Sequence, residues 1–119
     1  MSSIYEEFVN EFVADYLKTA EEIDKPEHVT RRLEFSASAK GEAVADCIMF
    51  LLKAKTVVPC EWLHKLSGGD FWLSRNGHGS GFFCRGDEEF WDELQDIAQA
   101  YPARGLFVNR EFEWEFVPG

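Results

Sequence analysis

The segment Arg-Asn-Gly-His-Gly-Ser-Gly at residues 75–81 limits the fold more than any other part of the chain. Its three glycines permit positive φ angles, and Asn-Gly is a frequent dipeptide of tight hairpin turns. Short runs rich in aromatic residues lie on both sides of this segment, at residues 71–73 and 82–84. We therefore predict a β-hairpin in which the two runs pair as antiparallel strands.

Helical periodicity dominates the first half of the chain. Apolar residues recur at helical spacing over residues 3–22 and 38–55, which predicts two amphipathic helices. A short helical turn is expected at residues 62–66. Residues 24–37 mix strand-like and helix-like patterns, so the sequence predicts no single structure for them.

A third helix and two further strands are predicted after the hairpin. Apolar residues at helical spacing predict the helix over residues 87–101, and strands follow at 106–108 and 112–117. The last strand alternates aromatic residues with glutamates, which predicts one packed and one solvated sheet face. The predicted fold is therefore α+β, with N-terminal helices followed by ββαββ and a small, mostly antiparallel four-stranded sheet.

Length and charge narrow the class of protein. A chain of 119 residues is expected to form a single domain, 1–119, with a helical part at 1–57 and the ββαββ part at 67–119. Its 22 acidic and 12 basic residues give a net charge of -10. Such a charge argues against a protein whose main role is to bind nucleic-acid phosphates or anionic lipid. Residues 64–85 depart from the acidic average, with three basic side chains against one acidic.

The N-terminus and the cysteines predict a cytoplasmic protein. The first residues lack the basic and apolar regions of a signal peptide, and the longest apolar run, residues 47–52, is far shorter than the roughly 20 residues of a membrane span. The cysteines Cys47, Cys60 and Cys84 are odd in number and form no C-x-x-C pair. This pattern is typical of reduced thiols and not of a disulfide framework.

Residues 70–82 read Asp-Phe-Trp-Leu-Ser-Arg-Asn-Gly-His-Gly-Ser-Gly-Phe. This stretch resembles a motif of small, uncharacterised phage-encoded proteins, D-F-W-L-T-R-N-G-H-G-A-G-F-W-D-R-G, and residues 45–51 look like the A-D-C-x-x-F-L of the same family. The chain departs from the pattern at Phe83 and Cys84, where the family has Trp and Asp, and its C-terminal hairpin lacks the family's D-D-G turn. The resemblance implies a phage origin and no established activity.

A second, fainter similarity links residues 68–83 to the G-G-Y-W-x-F-Y-x-L-S-N-G-G-F-Y stretch of ArdB-type antirestriction proteins. Both stretches combine glycines, aromatic residues and an Asn-Gly pair. This similarity implies a role against a host defence system. A shared hairpin solution is the alternative explanation.

The predicted hairpin is a candidate contact loop. Its Arg, Asn and His side chains would present donors beside backbone N–H groups, an arrangement suited to a carboxylate or phosphate of a partner. The alternative is a plain hairpin connection in which the histidine is a solvated turn residue. The candidate binding residues of this segment are Asp70, Trp72, Arg75, Asn76, His78 and Arg85.

The third predicted helix carries a second candidate surface. Carboxylates on one helix face lie about 6 Å apart, which is comparable to the phosphate spacing of a nucleic-acid strand. Such a face can engage a basic protein surface, although a simply solvated face is the alternative. Its carboxylates are Glu88, Asp92, Glu93 and Asp96.

Two catalytic or metal-binding alternatives are weaker. Cys60, His64, His78 and Cys84 have donor types that zinc uses, but they fall on different predicted elements. A small metal-dependent or hydrolytic enzyme would use Asp70 and His78, although no recognised catalytic motif surrounds them. We therefore predict no metal and no cofactor.

Together these observations predict a non-enzymatic phage accessory protein in the host cytoplasm. It is expected to bind and inhibit a host protein or nucleoprotein complex, as an anti-CRISPR or antirestriction protein does, without binding nucleic acid or membrane. The sequence allows a monomer or a homodimer. The aromatic C-terminal strand is a candidate edge for pairing with a second copy.

Overall fold

Helices dominate the structure, a computed structural model that describes residues 4–117. Ser3, where the first helix was expected to begin, lies outside the described residues. In chain order the elements are α1 (Ile4–Asp24), α2 (Ala37–Ala54), α3 (Cys60–Leu63), α4 (Gly68–Arg75), a 3₁₀ turn (Phe82–Cys84), α5 (Glu89–Gln99), β1 (Leu106–Val108) and β2 (Trp114–Phe116).

The three long helices expected from periodicity are confirmed by α1, α2 and α5. The start of α2 has a side-chain cap, because the Ser36 hydroxyl accepts a hydrogen bond from the Ala39 N–H at 3.0 Å. Within the described part of the chain, none of the helices combines the length and the apolarity that a membrane span requires.

The predicted four-stranded sheet and the ββαββ order are wrong. Residues 4–117 contain one two-stranded antiparallel sheet, in which Leu106 of β1 lies opposite Phe116 of β2. An isolated parallel bridge joins Phe35 to Trp114. Of the four expected strands, residues 71–73 belong to helix α4 and residues 82–84 form the 3₁₀ turn.

The supposed hairpin is a helix with a cap at each end. At its start, the Ser67 hydroxyl accepts hydrogen bonds from the N–H groups of the next helical residues, Gly69 and Asp70. At its end, the Gly77 N–H bonds to the Ser74 carbonyl and the His78 N–H to the Leu73 carbonyl. With Gly77 at a φ of 67°, these two bonds form the Schellman motif that closes many helices. The Asn-Gly pair therefore ends α4 and does not turn a hairpin.

One hydrophobic cluster joins the two parts of the chain. Phe50 of α2 stacks on Phe71 of α4 with ring centroids 4.4 Å apart, and on Phe82 of the 3₁₀ turn at 5.3 Å. Helix α4 also lies directly against the backbone of α1, where Gly68 approaches the Phe12 carbonyl so closely that a Cβ would lie 1.9 Å from its oxygen. The core thus depends on the close packing of α1, α2 and α4.

Strand β2 lies between β1 and the segment for which no structure was predicted. The Trp114 N–H donates to the Glu34 carbonyl at 2.8 Å, and the Trp114 carbonyl accepts from the Ser36 N–H at 3.0 Å. On the opposite side of the strand, the Glu113 carbonyl accepts from the Asn109 N–H and Glu115 pairs with Phe107 of β1. The C-terminal strand is not an open edge at this position.

A buried carboxylate anchors the same segment to α1. Glu21 accepts hydrogen bonds from the Trp114 indole at 2.8 Å, the Leu33 N–H at 3.0 Å and the Arg32 Nε at 3.3 Å. Burial alone would raise the pKa of Glu21, but these three donors outweigh it and hold the pKa below the ordinary value. The ionised carboxylate therefore ties α1 to β2 and to residues 32–33.

Replacing Glu21 with glutamine is expected to lower the free energy of unfolding at neutral pH by about 2 kcal/mol, since bonds to a charged group are lost. The pKa of Glu21 in the folded protein lies below the ordinary value of 4.5, so the ionised carboxylate stabilises the fold at pH values above 4.5. This contribution is lost as the pH falls through the folded pKa. Urea unfolding of both proteins from about pH 7 to about pH 3 should therefore show a shrinking difference. A difference that does not change with pH would contradict this role.

Candidate functional site

The guanidinium of Arg75 lies inside the protein and not on a contact loop. Arg75 is the last residue of α4, and its side chain is 1% exposed. It donates to the Asp46 carboxylate at 2.8 Å, to the Tyr16 hydroxyl at 2.9 Å, and to the Pro102 carbonyl from Nε at 3.0 Å and from Nη2 at 2.7 Å. Arg75 thus cross-links α1, α2 and the chain after α5.

Aromatic groups surround the buried guanidinium of this ion pair. The Arg75 guanidinium lies 5.2 Å from the ring centroid of Tyr101 and 5.6 Å from that of Phe71. Burial raises the pKa of Tyr16 well above its ordinary value, against the opposing effect of the Arg75 charge. The Tyr16 hydroxyl therefore stays protonated and accepts from Arg75 as a neutral group.

Asp70 and Arg85 form a second ion pair, which closes the glycine-rich loop onto α4. The two bonds are 2.7 Å from Nε to Oδ2 and 2.5 Å from Nη2 to Oδ1, so both carboxylate oxygens are used. The hydrogen bonds with Asp70 raise the pKa of Arg85. Asp70 is buried, whereas the Arg85 side chain is 53% exposed. Arg85 is therefore still accessible to a partner.

The remaining candidate residues of this segment also have partners within the chain. Trp72 is buried and donates its indole N–H to Oδ2 of Asp24 at 2.6 Å, and Nε2 of His78 lies 2.9 Å from the same oxygen. Asn76 donates to the Trp72 carbonyl and accepts from the Arg104 N–H at 2.6 Å. The structure thus places all six residues around α4 and its loop, and connects them mainly to the core.

The acidic face of α5, which comprises Glu88, Asp92, Glu93 and Asp96, is exposed. Trp91 and Leu94 lie on the opposite, buried face of the helix, as the amphipathic pattern predicts. Among residues 4–117, none of the four carboxylates takes part in an ion pair. Glu88 accepts a hydrogen bond from the Trp91 indole at 2.9 Å. The carboxylates of Asp92, Glu93 and Asp96 are accessible on this helix, and that of Glu88 lies at its start.

The four zinc-type donors do not come together at one site. His78 contacts Asp24 at the C-terminal end of α1. Cys60 and His64 line a groove together with Phe8, which lies near the N-terminal end of α1. These two ends are roughly 24 Å apart at the rise of an α-helix. Within residues 4–117, no group of three His, Cys, Asp or Glu side chains is arranged to hold a metal ion.

The pair suggested for catalysis is also divided between different partners. Asp70 gives both carboxylate oxygens to Arg85, and His78 contacts Asp24. Ser74, which is buried in the same helix as Asp70, donates to Gln95 at 2.7 Å and accepts from the Phe82 N–H. The geometry therefore supplies no free base next to a free nucleophile among these residues.

Thiol labelling of the native protein is expected to modify Cys60 and Cys84 and to spare Cys47. The first two are exposed, whereas Cys47 is buried and burial raises its pKa. The Cys47 thiol is therefore inaccessible to the reagent and stays protonated. Labelling with a chromogenic disulfide, followed by denaturation, measures the two classes. Excess zinc should leave the labelling rates of the native protein unchanged. Slower labelling of Cys60 and Cys84 in the presence of zinc would instead support the metal site.

A feature that the sequence analysis missed is an apolar groove of about 610 Å³ between the start of α1 and the second half of α2. Tyr5 and Val9 line one wall, and Ile48 and Leu52 line the other. The sequence contains a signal for this groove, because α2 carries a second stripe of apolar side chains, spaced four residues apart, beside the stripe that is buried. Amphipathic surface helices normally carry polar residues there.

Comparisons with protein-family models, with curated proteins and with solved structures give no match to this chain. The similarity of residues 70–82 to a phage motif therefore stays a resemblance. Function has to be inferred from the surfaces that the fold exposes.

Proposed function

We propose that the protein is a non-enzymatic phage accessory protein that acts in the host cytoplasm. It binds a host protein or nucleoprotein complex and inhibits it, as anti-CRISPR and antirestriction proteins do. The acidic face of α5 supports this proposal, because its four carboxylates are exposed and form no ion pair within residues 4–117. The net charge of -10 disfavours direct binding of nucleic acid.

The partner surface that fits an acidic helix face is basic. Neighbouring carboxylates on a helix face lie about 6 Å apart, so the acidic face can occupy a groove that binds the phosphates of a nucleic acid. Charge complementarity speeds such an association and makes it sensitive to salt. Occupation of the groove would exclude the nucleic acid and inhibit the partner.

The residues of α4 and its loop support this surface from behind. Ser74 bonds to Gln95 in the middle of α5, and Arg75 bonds to the carbonyl of Pro102 just after it. The α4 network thus holds α5 at two points. In this proposal Asp70, Trp72, Arg75 and Asn76 are positioning residues.

His78 and Arg85 are the members of the α4 segment that can also touch a partner. The His78 side chain is 30% exposed and the Arg85 side chain 53% exposed. Each already has one acidic partner in the chain, Asp24 or Asp70. We assign them a secondary contact beside the acidic face.

Phage plating on defence-bearing bacteria tests the proposal. Expression of the wild-type protein should raise plating on cells that carry a restriction or CRISPR system and leave plating unchanged on cells without one. The variant Asp92→Asn/Glu93→Gln/Asp96→Asn should lose this effect, because it removes three charges from the acidic face. The matched control Glu7→Gln/Glu11→Gln/Glu27→Gln removes three exposed charges elsewhere and should keep it.

Two results would overturn the proposal. A wild-type protein without effect on any restriction or CRISPR system tested would contradict the anti-defence role. Equal activity of the two triple variants would contradict the assignment of the acidic face, even if the protein protects phage.

A further inference from the structure

Phe112 occupies a backbone position that normally belongs to glycine. Just after β1, the Asn109 N–H donates to the Glu113 carbonyl at 2.9 Å, and the Phe112 N–H donates to the Asn109 carbonyl at 3.1 Å. Residues 110–112 thus form a three-residue hairpin loop, and Phe112, its last member, has a φ of 61°. Loops of this length usually have glycine at the left-handed position, because a side chain is strained there.

The fold gains little from this strained side chain. Phe112 is 67% exposed, and it is the one non-glycine residue with a positive φ in the described part of the chain. For a bulky aromatic residue such a φ is a clear outlier. Strained residues of this kind cluster at active sites, ligand clamps and switches. Phe112 therefore marks the tip of the β1–β2 hairpin as a candidate binding site.

A cavity of about 280 Å³ lies beside the Phe112 side chain, which forms part of its wall. Arg31 and His28 contribute a guanidinium and an imidazole to the same cavity. The other residues that line it are uncharged: Val29, Thr30, Leu33 and Val108. Largely apolar walls with a few polar groups are typical of sites for small molecules.

The charge of the cavity is opposite to that of the chain. The protein carries a net charge of -10, but none of the described residues that line the cavity is acidic. Within residues 4–117, neither Arg31 nor His28 takes part in an ion pair. Their N–H groups are therefore available to a phosphate or carboxylate, which a guanidinium can bind through two parallel hydrogen bonds.

We propose that this cavity binds a small molecule that joins a planar aromatic ring to an anionic group, as a nucleoside monophosphate does. The ring stacks on Phe112, and Arg31 and His28 donate hydrogen bonds to the phosphate. A polynucleotide is disfavoured, because the acidic surface of the protein repels its further phosphates. The proposal uses no residue of the acidic face and is independent of the proposed inhibition.

Calorimetric titration of the full-length protein with each of the four common nucleoside monophosphates tests the proposal. At least one should bind with a dissociation constant below about 1 mM. The corresponding nucleoside and inorganic phosphate should each bind at least about tenfold more weakly, because each makes only one of the two kinds of contact.

Phe112→Gly should weaken this binding at least about tenfold and at the same time stabilise the fold. Glycine adopts a φ of 61° without strain, so the equilibrium constant for unfolding should fall about fivefold. A residue that only packs would not give this opposite response. Arg31→Gln should weaken binding to a similar extent, with stability unchanged. The matched controls Phe107→Ala and Arg110→Gln alter exposed residues of the same hairpin that do not line the cavity, and they should bind like the wild type.

Three results would overturn the proposal. The first is the absence of binding by any of the four monophosphates at about 5 mM. The second is binding that Phe112→Gly and Arg31→Gln keep at wild-type strength, which would place the site elsewhere. The third is tighter binding of a single-stranded oligonucleotide of about eight nucleotides, which would overturn the assignment to a small molecule. None of these results would affect the plating test of the acidic face.

Discussion

Replacing Arg75 with methionine is expected to lower the free energy of unfolding by about 2–4 kcal/mol, because it removes the buried charge partner of the half-buried Asp46 carboxylate and the donor of two further acceptors. The Asp46 carboxylate, the Tyr16 hydroxyl and the Pro102 carbonyl would lose their donor together. Since small domains are stable by about 5–15 kcal/mol, this is a large share of the total. Urea unfolding followed by circular dichroism measures the loss.

A double variant separates the ion pair from the packing. Arg75→Met combined with Asp46→Leu removes both charges and should be more stable than Arg75→Met alone, because no unpaired charge remains. Arg110→Met, at an exposed arginine, should change the free energy of unfolding by less than about 0.5 kcal/mol. Wild-type stability of Arg75→Met would contradict the structural role assigned to this residue.

Replacing Gly68 with alanine is expected to cost about 3 kcal/mol, at the upper end for a substitution that overfills a packed site. The new Cβ would lie 1.9 Å from the Phe12 carbonyl oxygen and 2.9 Å from the Tyr16 nitrogen. Both atoms belong to the backbone of α1, so a side-chain rotation cannot relieve the clash. Helix α4 would have to move away from α1, and thermal unfolding measures the effect.

The same substitution at Gly41 should have the opposite sign. A Cβ there meets nothing within 4 Å, so Gly41→Ala should stabilise the chain by about 0.5–1 kcal/mol through helix propensity. Equal effects of the two substitutions would contradict the close contact of α4 with α1.

The three long helices were predictable because each has a solvated side. In α5, for example, the buried Trp91 and Leu94 alternate with exposed carboxylates at helical spacing. The same periodicity shows which side of the helix faces water. The acidic face was therefore found from the sequence, with its residues correctly placed at the surface.

Helix α4 was not predictable because it has no side that is consistently exposed to water. It is eight residues long, and Phe71, Trp72, Ser74 and Arg75 are all buried, so polar and apolar residues show no helical period. Asn-Gly marks a hairpin turn and a helix end equally well, since both need a residue with positive φ. The alternative pairing of residues 71–73 with 82–84 was consistent with every local signal.

The burial of the charged candidates could not be inferred either. Arg75 looks exposed in the sequence because its partners, Asp46 and Pro102, are 29 and 27 residues away. Arginine is almost never fully buried unless it is paired, and only the tertiary structure reveals the pairing. The apolar groove between α1 and α2 was missed for a related reason, since an exposed apolar stripe on α2 looks like core until the neighbouring helices are placed.

The most direct measurement is the affinity of the protein for the purified defence complex that it inhibits in the plating assay, at low and at high salt. Wild type and the Glu7/Glu11/Glu27 control should bind equally and lose affinity as salt rises. The Asp92/Glu93/Asp96 variant should bind at least about tenfold more weakly, with a smaller dependence on salt. Equal affinity and equal salt dependence of both triple variants would contradict the acidic face of α5 as the inhibitory surface.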